Sequence, residues 1–224
     1  MYLSKLILNP RNAGARRDVA RPYELHRTLM RSVDGAAKKN RLLFRIEPTS
    51  GQRKAGLVVL VQSAEAAPDW TPLLGNGYLL EVRGPQPIGK KMTEALEPGR
   101  RFAFRFVANP TIKKKVAGKK HSVRVPLIHN RPNPEDHPTY WHWLHRKAEQ
   151  HGFKVLSARD APFRTASNRR KKQHYDKAEI PHFGVRFDGV LEVTDPSLLL
   201  EAIRQGIGPA KAFGFGLLSL APAR

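Results

Sequence analysis

Tyr23, His26, Arg27 and Arg31 fall within the short stretch RPYELHRTLMR, residues 21–31. An imidazole, with an unperturbed pKa of about 6.5, both takes and gives a proton near neutral pH. A positioned acid or base of this kind is worth roughly 10²–10⁴-fold in rate. A phenol three residues away is a second proton carrier or a hydrogen-bond donor to a hydroxyl. Guanidinium groups bind phosphate and stabilise charge that develops on it. Acid–base chemistry on an anionic substrate is the catalytic reading. The bland reading is a structural histidine on a helix, and spacing alone leaves both open.

The element that must carry these groups is a helix over 22–34. Pro22 suits its first turn, where a missing N–H costs nothing. Leu25, Leu29 and Val33 recur every four residues, which gives an apolar stripe for burial. Tyr23 and His26 then share one face, and Arg27 and Arg31 an adjacent one.

The chain of 224 residues holds 40 Lys and Arg against 19 Asp and Glu, a net charge of +21. Such an excess repels itself unless a polyanion absorbs it, which points to nucleic acid, with an anionic membrane surface second. The membrane reading lacks a basic amphipathic helix, and no apolar run approaches the roughly 20 residues that span a bilayer. MYLSKLIL at the start is too short and too alternating for a signal peptide and reads as a strand. Without cysteine there are no disulfides, thiolate metal sites or cysteine nucleophiles, and a cytoplasmic protein is expected. Carboxylates are scattered, with no DxD, DED or ExK cluster of the kind that two-metal nucleases use. Cleavage of nucleic acid by this chain is therefore expected to need no metal.

Along the chain, strands are expected at 2–8, 41–48, 56–63 and 77–84, with helices at 22–34 and 68–74. The order β-α-β-β-α-β is the split βαβ of the ferredoxin-like fold. A Pro/Gly-rich stretch then reads as a linker. The order repeats with strands at 101–110, 153–159, 182–195 and 215–222 and helices at 138–152 and 195–208. In 101–110, Phe102, Phe104 and Phe106 point one way and Arg101 and Arg105 the other. The expected domains are 1–84, carrying the Tyr23/His26 helix, a linker at 85–100, and 101–224 with basic insertions. The fold class is α+β, two tandem ferredoxin-like domains with a basic β-ribbon inserted in the second.

Residues 111–180 hold 17 Lys and Arg against 6 Asp and Glu. Within them, RTASNRRKKQHYDKAEI (164–180) is either an extended arm for phosphate or a solvated charge run. A thin arginine-rich ribbon is one of few ways into the deep, narrow major groove of an RNA duplex. GIGPAKAFGFGLLSL (206–220) places Gly206, Gly208, Gly214 and Gly216 around Lys211. Glycines let backbone N–H groups approach a phosphate, with Lys211 as a point charge; a glycine-rich turn competes with that reading. His129, His137, His142 and His145 invite a zinc reading, but no HExxH or carboxylate partner accompanies them. Trp141 and Trp143 beside them are expected to pack or stack. HFGVRF (182–187) echoes an RNA-reading strand, and burial of Phe183 and Phe187 accounts for it equally.

YLSKLIL, PYELHRTL, LLFRIEP…VVLVQS, FRFVANP, FDGVLEVTDP and GIGPAKAFGFGLLSLAP occur in this order nearly end to end. The set resembles the CasE (Cse3) family of CRISPR repeat-RNA endoribonucleases, subunits of the type I-E Cascade complex. The resemblance implies two tandem ferredoxin-like domains and metal-independent cleavage at the base of a repeat hairpin. The product carries a 2′,3′-cyclic phosphate, and the enzyme stays on it as a Cascade subunit; no cofactor is implied. It implies that His26 is the catalytic histidine, Tyr23 its accompanying tyrosine and Arg27 a phosphate-holding residue. Arg31 stands where some relatives carry a lysine, and the two side chains differ in geometry and acidity. Arg169, Arg170, Lys171 and Lys172 are the candidates for the groove-entering ribbon. A non-catalytic RNA-binding subunit is the rival reading.

Overall fold

The computed structural model describes residues 1–33, 41–48, 56–115, 122–129, 138–168 and 179–223. The first half runs β1 (Tyr2–Leu8), α1 (Ala13–Ala20), α2 (Pro22–Met30), β2 (Leu42–Ile46), β3 (Leu57–Ser63), α3 (Thr71–Gly75) and β4 (Leu79–Pro87). After α4 (Gly89–Ala95), the second half runs β5 (Arg101–Ala108), β6 (Thr111–Lys114), β7 (Val123–Pro126), α5 (Tyr140–Gln150), β8 (Phe153–Asn168), β9 (Glu179–Val193), α6 (Pro196–Gln205) and β10 (Leu218–Pro222). The two four-stranded sheets have the orders β2-β3-β1-β4 and β10-β5-β9-β8, with β6 and β7 forming a separate hairpin. Each sheet is antiparallel throughout. Counted within its own half, each has the second and third strands paired and the first strand between third and fourth. This is the ferredoxin-like order, and it occurs twice.

The alternation of β5 decides its faces as the sequence indicates. Phe102, Phe104 and Phe106 are buried in the second core, while Arg101 is exposed. In the first half, Leu25, Leu29 and Val33 pack with Leu6, Leu8 and Phe44 in the first core. The regular helix closes at Met30, short of the expected end, and Val33 is buried from the turn that follows.

Two elements depart from the sequence reading. Helix α1 was not expected, because AGARRDVA has no apolar stripe; only Ala15 and Asp18 are buried. Its start is fixed locally, the Asn12 side chain accepting from the Ala15 N–H at 3.0 Å. The stretch 85–100, expected as a linker, holds the end of β4 and all of α4. Met92, Ala95 and Leu96 pack on the second core, which gives that short helix its reason to form.

Asp18 ties the first half together. Its buried carboxylate accepts from Thr28 Oγ1 of α2 at 2.7 Å and from the Tyr78 hydroxyl at 3.0 Å, and pairs with Arg17. Burial first, then the Asp18 charge, pushes the Tyr78 phenol far up, so it stays a donor. Asp18→Ala leaves two donors without an acceptor and should cost about 2–4 kcal/mol. Denaturant unfolding checks this; a loss under about 1 kcal/mol would show that α2 is held by apolar packing alone.

The halves are joined by polar contacts under the sheets. Arg45, buried on β2, donates to the Arg105 and Leu217 carbonyls at 3.1 and 3.3 Å and pairs with Glu47. Glu47 also accepts from Arg105 at 2.8 Å, and Gln62 donates to the Ile203 carbonyl at 2.7 Å. These contacts set α2 of the first half against the glycine-rich loop of the second.

Candidate functional site

Tyr23 and His26 project from the first turns of α2 with ring centroids 6.4 Å apart. The face they share meets the other half of the molecule. Lys211–Phe213 is a single 3-10 turn within the glycine-rich loop, and the Phe213 ring stacks on Tyr23 at 5.5 Å. His26 stacks on Phe44 of β2 at 6.1 Å. On its far side Phe213 meets His182 of β9 at 4.2 Å, and His182 meets Phe215 at 6.1 Å. Phe163 of β8 continues the row from Phe215 at 6.1 Å. Apart from the closer His182–Phe213 pair, these spacings lie within the range in which aromatic rings attract. A row of rings thus runs from β2 across α2 and the loop to the ribbon formed by β8 and β9.

The two histidines in the row share an unusual state. His26 Nδ1 and His182 Nε2 are buried and, among the described residues, have no hydrogen-bond partner. Burial lowers the pKa of both, so at neutral pH each imidazole is neutral. A neutral ring is the form that accepts a proton, and because these unpartnered nitrogens are buried, it is the other nitrogen of each ring that is placed to meet a ligand. Tyr23 is the more accessible of the helix pair, at 37% exposure.

Arg27 and Arg31 are exposed on the same helix, and Arg27 pairs with Glu24 at 3.0 Å. A surface pair of this kind is worth at most about 1 kcal/mol and yields readily to a stronger anion. Beside the N-terminus of α2 a cleft of about 430 Å³ opens between the halves, lined in part by Pro22, Arg164, Arg186 and Phe213.

The ribbon expected at 164–180 exists as far as it is described, with β8 and β9 paired out to Asn168 and Glu179. Arg169, Arg170, Lys171 and Lys172 lie outside the described residues. In the glycine loop, Gly206, Gly214 and Gly216 are buried, whereas Gly208 and Lys211 are half-exposed. Gly214 has φ +85°, and a Cβ there would stand 3.2 Å from the Phe44 ring; at Gly206, φ +74°, it would press on Leu43 at 2.7 Å. The turn and the packing of the two halves therefore require these glycines, whatever else the loop does. Lys211 donates to the Gly208 carbonyl at 2.8 Å.

One of the histidines considered for zinc has another use. His142 closes a capping box at the start of α5, its Nδ1 accepting from the Thr139 N–H at 3.2 Å. His137 lies outside the described residues, and among those described no three His, Asp or Glu side chains converge as a metal site. Trp143 is buried in the second core and Trp141 packs against it. Phe44, Phe213 and His182 escaped the sequence reading as site residues. The one available signal was an aromatic residue inside a glycine-rich loop, and its partner lies 190 positions away in Tyr23.

Known proteins match the chain along its whole length. A family described as "CRISPR associated protein" matches residues 1–222. The CRISPR-associated endoribonuclease Cse3 of Thermus thermophilus is 38% identical over 231 residues, covering 99% of this chain and 100% of that protein. The Cascade subunit CasE of Escherichia coli is 31% identical over 230 residues, with 99% and 100% covered. Thermus thermophilus Cse3 bound to an RNA that represents a pre-cleavage complex superposes with a TM-score of 0.78, at 38% identity, covering 99% of this chain and 98% of that one. On this evidence the chain belongs to the CRISPR-associated CasE (Cse3) family.

Proposed function

We propose that this chain is an endoribonuclease that binds the stem-loop of CRISPR repeat RNA and cuts at the 3′ base of the hairpin without metal. The product remains bound, and the protein then serves in the cytoplasm as a Cascade subunit. The observation that carries the reading is the pairing of an accessible phenol with a neutral imidazole on one face of α2, in a chain similar end to end to an endoribonuclease.

In the reaction the 2′-oxygen of the scissile nucleotide attacks its own phosphate, and the bond to the 5′-oxygen breaks. The 2′-hydroxyl loses a proton and the leaving oxygen gains one, giving a 2′,3′-cyclic phosphate and a 5′-hydroxyl. His26 and Tyr23 carry these two transfers between them. Arg27 leaves Glu24 for the phosphate and stabilises the charge that builds on it. Arg31 adds positive charge one turn further on. The rings of Phe44 and Phe213 hold the two reacting side chains in place.

Arg169, Arg170, Lys171 and Lys172 supply phosphate contacts to the stem. Replacing all four by alanine should weaken hairpin binding and flatten its log–log salt dependence by roughly 0.7–0.9 per lost contact. An unchanged salt slope would make these four residues part of a solvated charge run. Lys211 and Gly208, on the exposed side of the glycine loop, face the RNA backbone.

The test of the function is incubation of the protein with its genomic repeat RNA in EDTA. A single cut at the 3′ base of the hairpin is expected. Tight binding without cutting would favour the rival, a non-catalytic RNA-binding subunit. No preference for the repeat over a scrambled stem would overturn both.

A further inference from the structure

The turn Lys211–Phe213 has two sides. Phe213 faces the aromatic row, and Lys211 faces a second cleft of about 820 Å³ between the β6–β7 hairpin, α5 and the glycine loop. Lys113, Arg124, Arg146, Lys147, His151 and Lys211 line it, and among the described residues no carboxylate does. Their hydrogen bonds are to neutral groups: Lys147 to Gln150, Arg124 to Thr111, and Lys211 to the Gly208 carbonyl. Elsewhere the protein pairs its clustered cations, as Arg45, Arg105 and Arg186 do with Glu47 and Asp188. In this cleft, among the described residues, basic groups converge without that compensation. Burial, and then repulsion from neighbouring cations, lowers the pKa of Lys147, His151 and Lys211. An anion in the cleft relieves that repulsion. The Trp143 ring lies against Gly208, where a Cβ would stand 3.1 Å from it.

We propose that this cleft holds the phosphates of single-stranded RNA that continues from the base of the bound stem, on the opposite side of the glycine turn from Tyr23 and His26. The proposal rests on the RNA-binding reading above. A basic groove suits one strand, whose backbone it tracks through charge. The turn itself is the divide between the two sites, so a strand that leaves the reacting phosphate crosses it into the cleft. Both flanks leave the stem at its base, so either one reaches the turn.

The test uses the full-length protein and the triple variant Lys113→Gln, Arg124→Gln, Arg146→Gln. All three side chains are exposed, so the fold should be retained, and a thermal scan checks it. Three RNAs are titrated at several salt concentrations: a flush stem-loop, one with a 5′ flank, and one with a 3′ flank made uncleavable by a 2′-deoxy scissile nucleotide. The variant should bind the flush stem-loop within about threefold of wild type. It should lose roughly tenfold or more on a flanked RNA, with the salt slope reduced by about 2, since single strands give about 0.7 per contact. The RNA that shows the loss identifies which flank is held. An equal loss on all three RNAs, or no loss on any, overturns the proposal; the latter leaves the cleft to an acidic protein partner. Should the triple variant unfold, Arg146→Gln and Lys113→Gln alone are each expected to remove about 0.7 of slope on the same flanked RNA. Wild-type protein that fails to bind the flush stem-loop refutes the proposed function itself. Wild type that binds it but gains nothing from either flank refutes only the cleft.

Discussion

His26→Ala lowers the single-turnover rate of repeat-RNA cleavage by roughly a hundredfold or more, the range for a lost general acid or base, and leaves hairpin affinity within a few-fold. The expectation follows from the state of the side chain. His26 is neutral, stacked on Phe44, and has one nitrogen without a partner, so it contributes little charge to RNA binding. The pH profile of the wild-type rate assigns its role. Burial holds the pKa below its usual value, so a rising limb below about 6.5 marks His26 as the base, and a falling limb there marks it as the acid. Stability has its own sign. The folded state binds fewer protons than the unfolded one at His26 and His182. Their contribution is therefore complete above about pH 6.5 and is lost as pH falls through the depressed folded values. Near-normal cutting by His26→Ala would end the catalytic assignment.

Gly214→Val is expected to damage folding first. A β-branched residue at φ +85° is strained by about 1–3 kcal/mol, and a Cβ only 3.2 Å from the Phe44 ring adds overpacking of about 1–3 kcal/mol. Read from the sequence, the same change is expected to hurt RNA binding more than folding, on the idea that bare backbone lies against the strand. The structure reverses that order, because the surface that Gly214 keeps clear belongs to Phe44. The displaced ring is also the one that His26 stacks on, so residual folded protein should cut slowly. Thermal midpoint and RNA affinity measured together decide. A normal midpoint with weak binding would restore the sequence reading.

Much of the frame was legible because burial writes a period into a chain. The four-residue stripe of Leu25, Leu29 and Val33 orients α2, and that orientation alone places Tyr23 and His26 together. The alternation of Phe102, Phe104 and Phe106 fixes β5 in the same way. Helix α1 left no such trace: it buries a carboxylate, Asp18, in place of an apolar face. Helix α4 is short, and is held by Met92 and Ala95 against a core built mostly from later sequence. The row from Phe44 to Phe163 was invisible for a third reason. Its members come from five segments, and the polar joints that bring those segments together, such as Arg45 to the Leu217 carbonyl, have no periodicity to read.

Whether the substrate's own 2′-hydroxyl is the nucleophile that the Tyr23 and His26 pair serves is decided by one substrate. A repeat RNA with a single 2′-deoxy at the scissile nucleotide keeps every phosphate and every base, so it should bind like the all-ribose hairpin. It should also remain uncut, with magnesium or with EDTA, over times in which the all-ribose RNA is fully cleaved to a 2′,3′-cyclic phosphate. Cleavage of the deoxy substrate at the same bond would contradict the account and assign the attack to water.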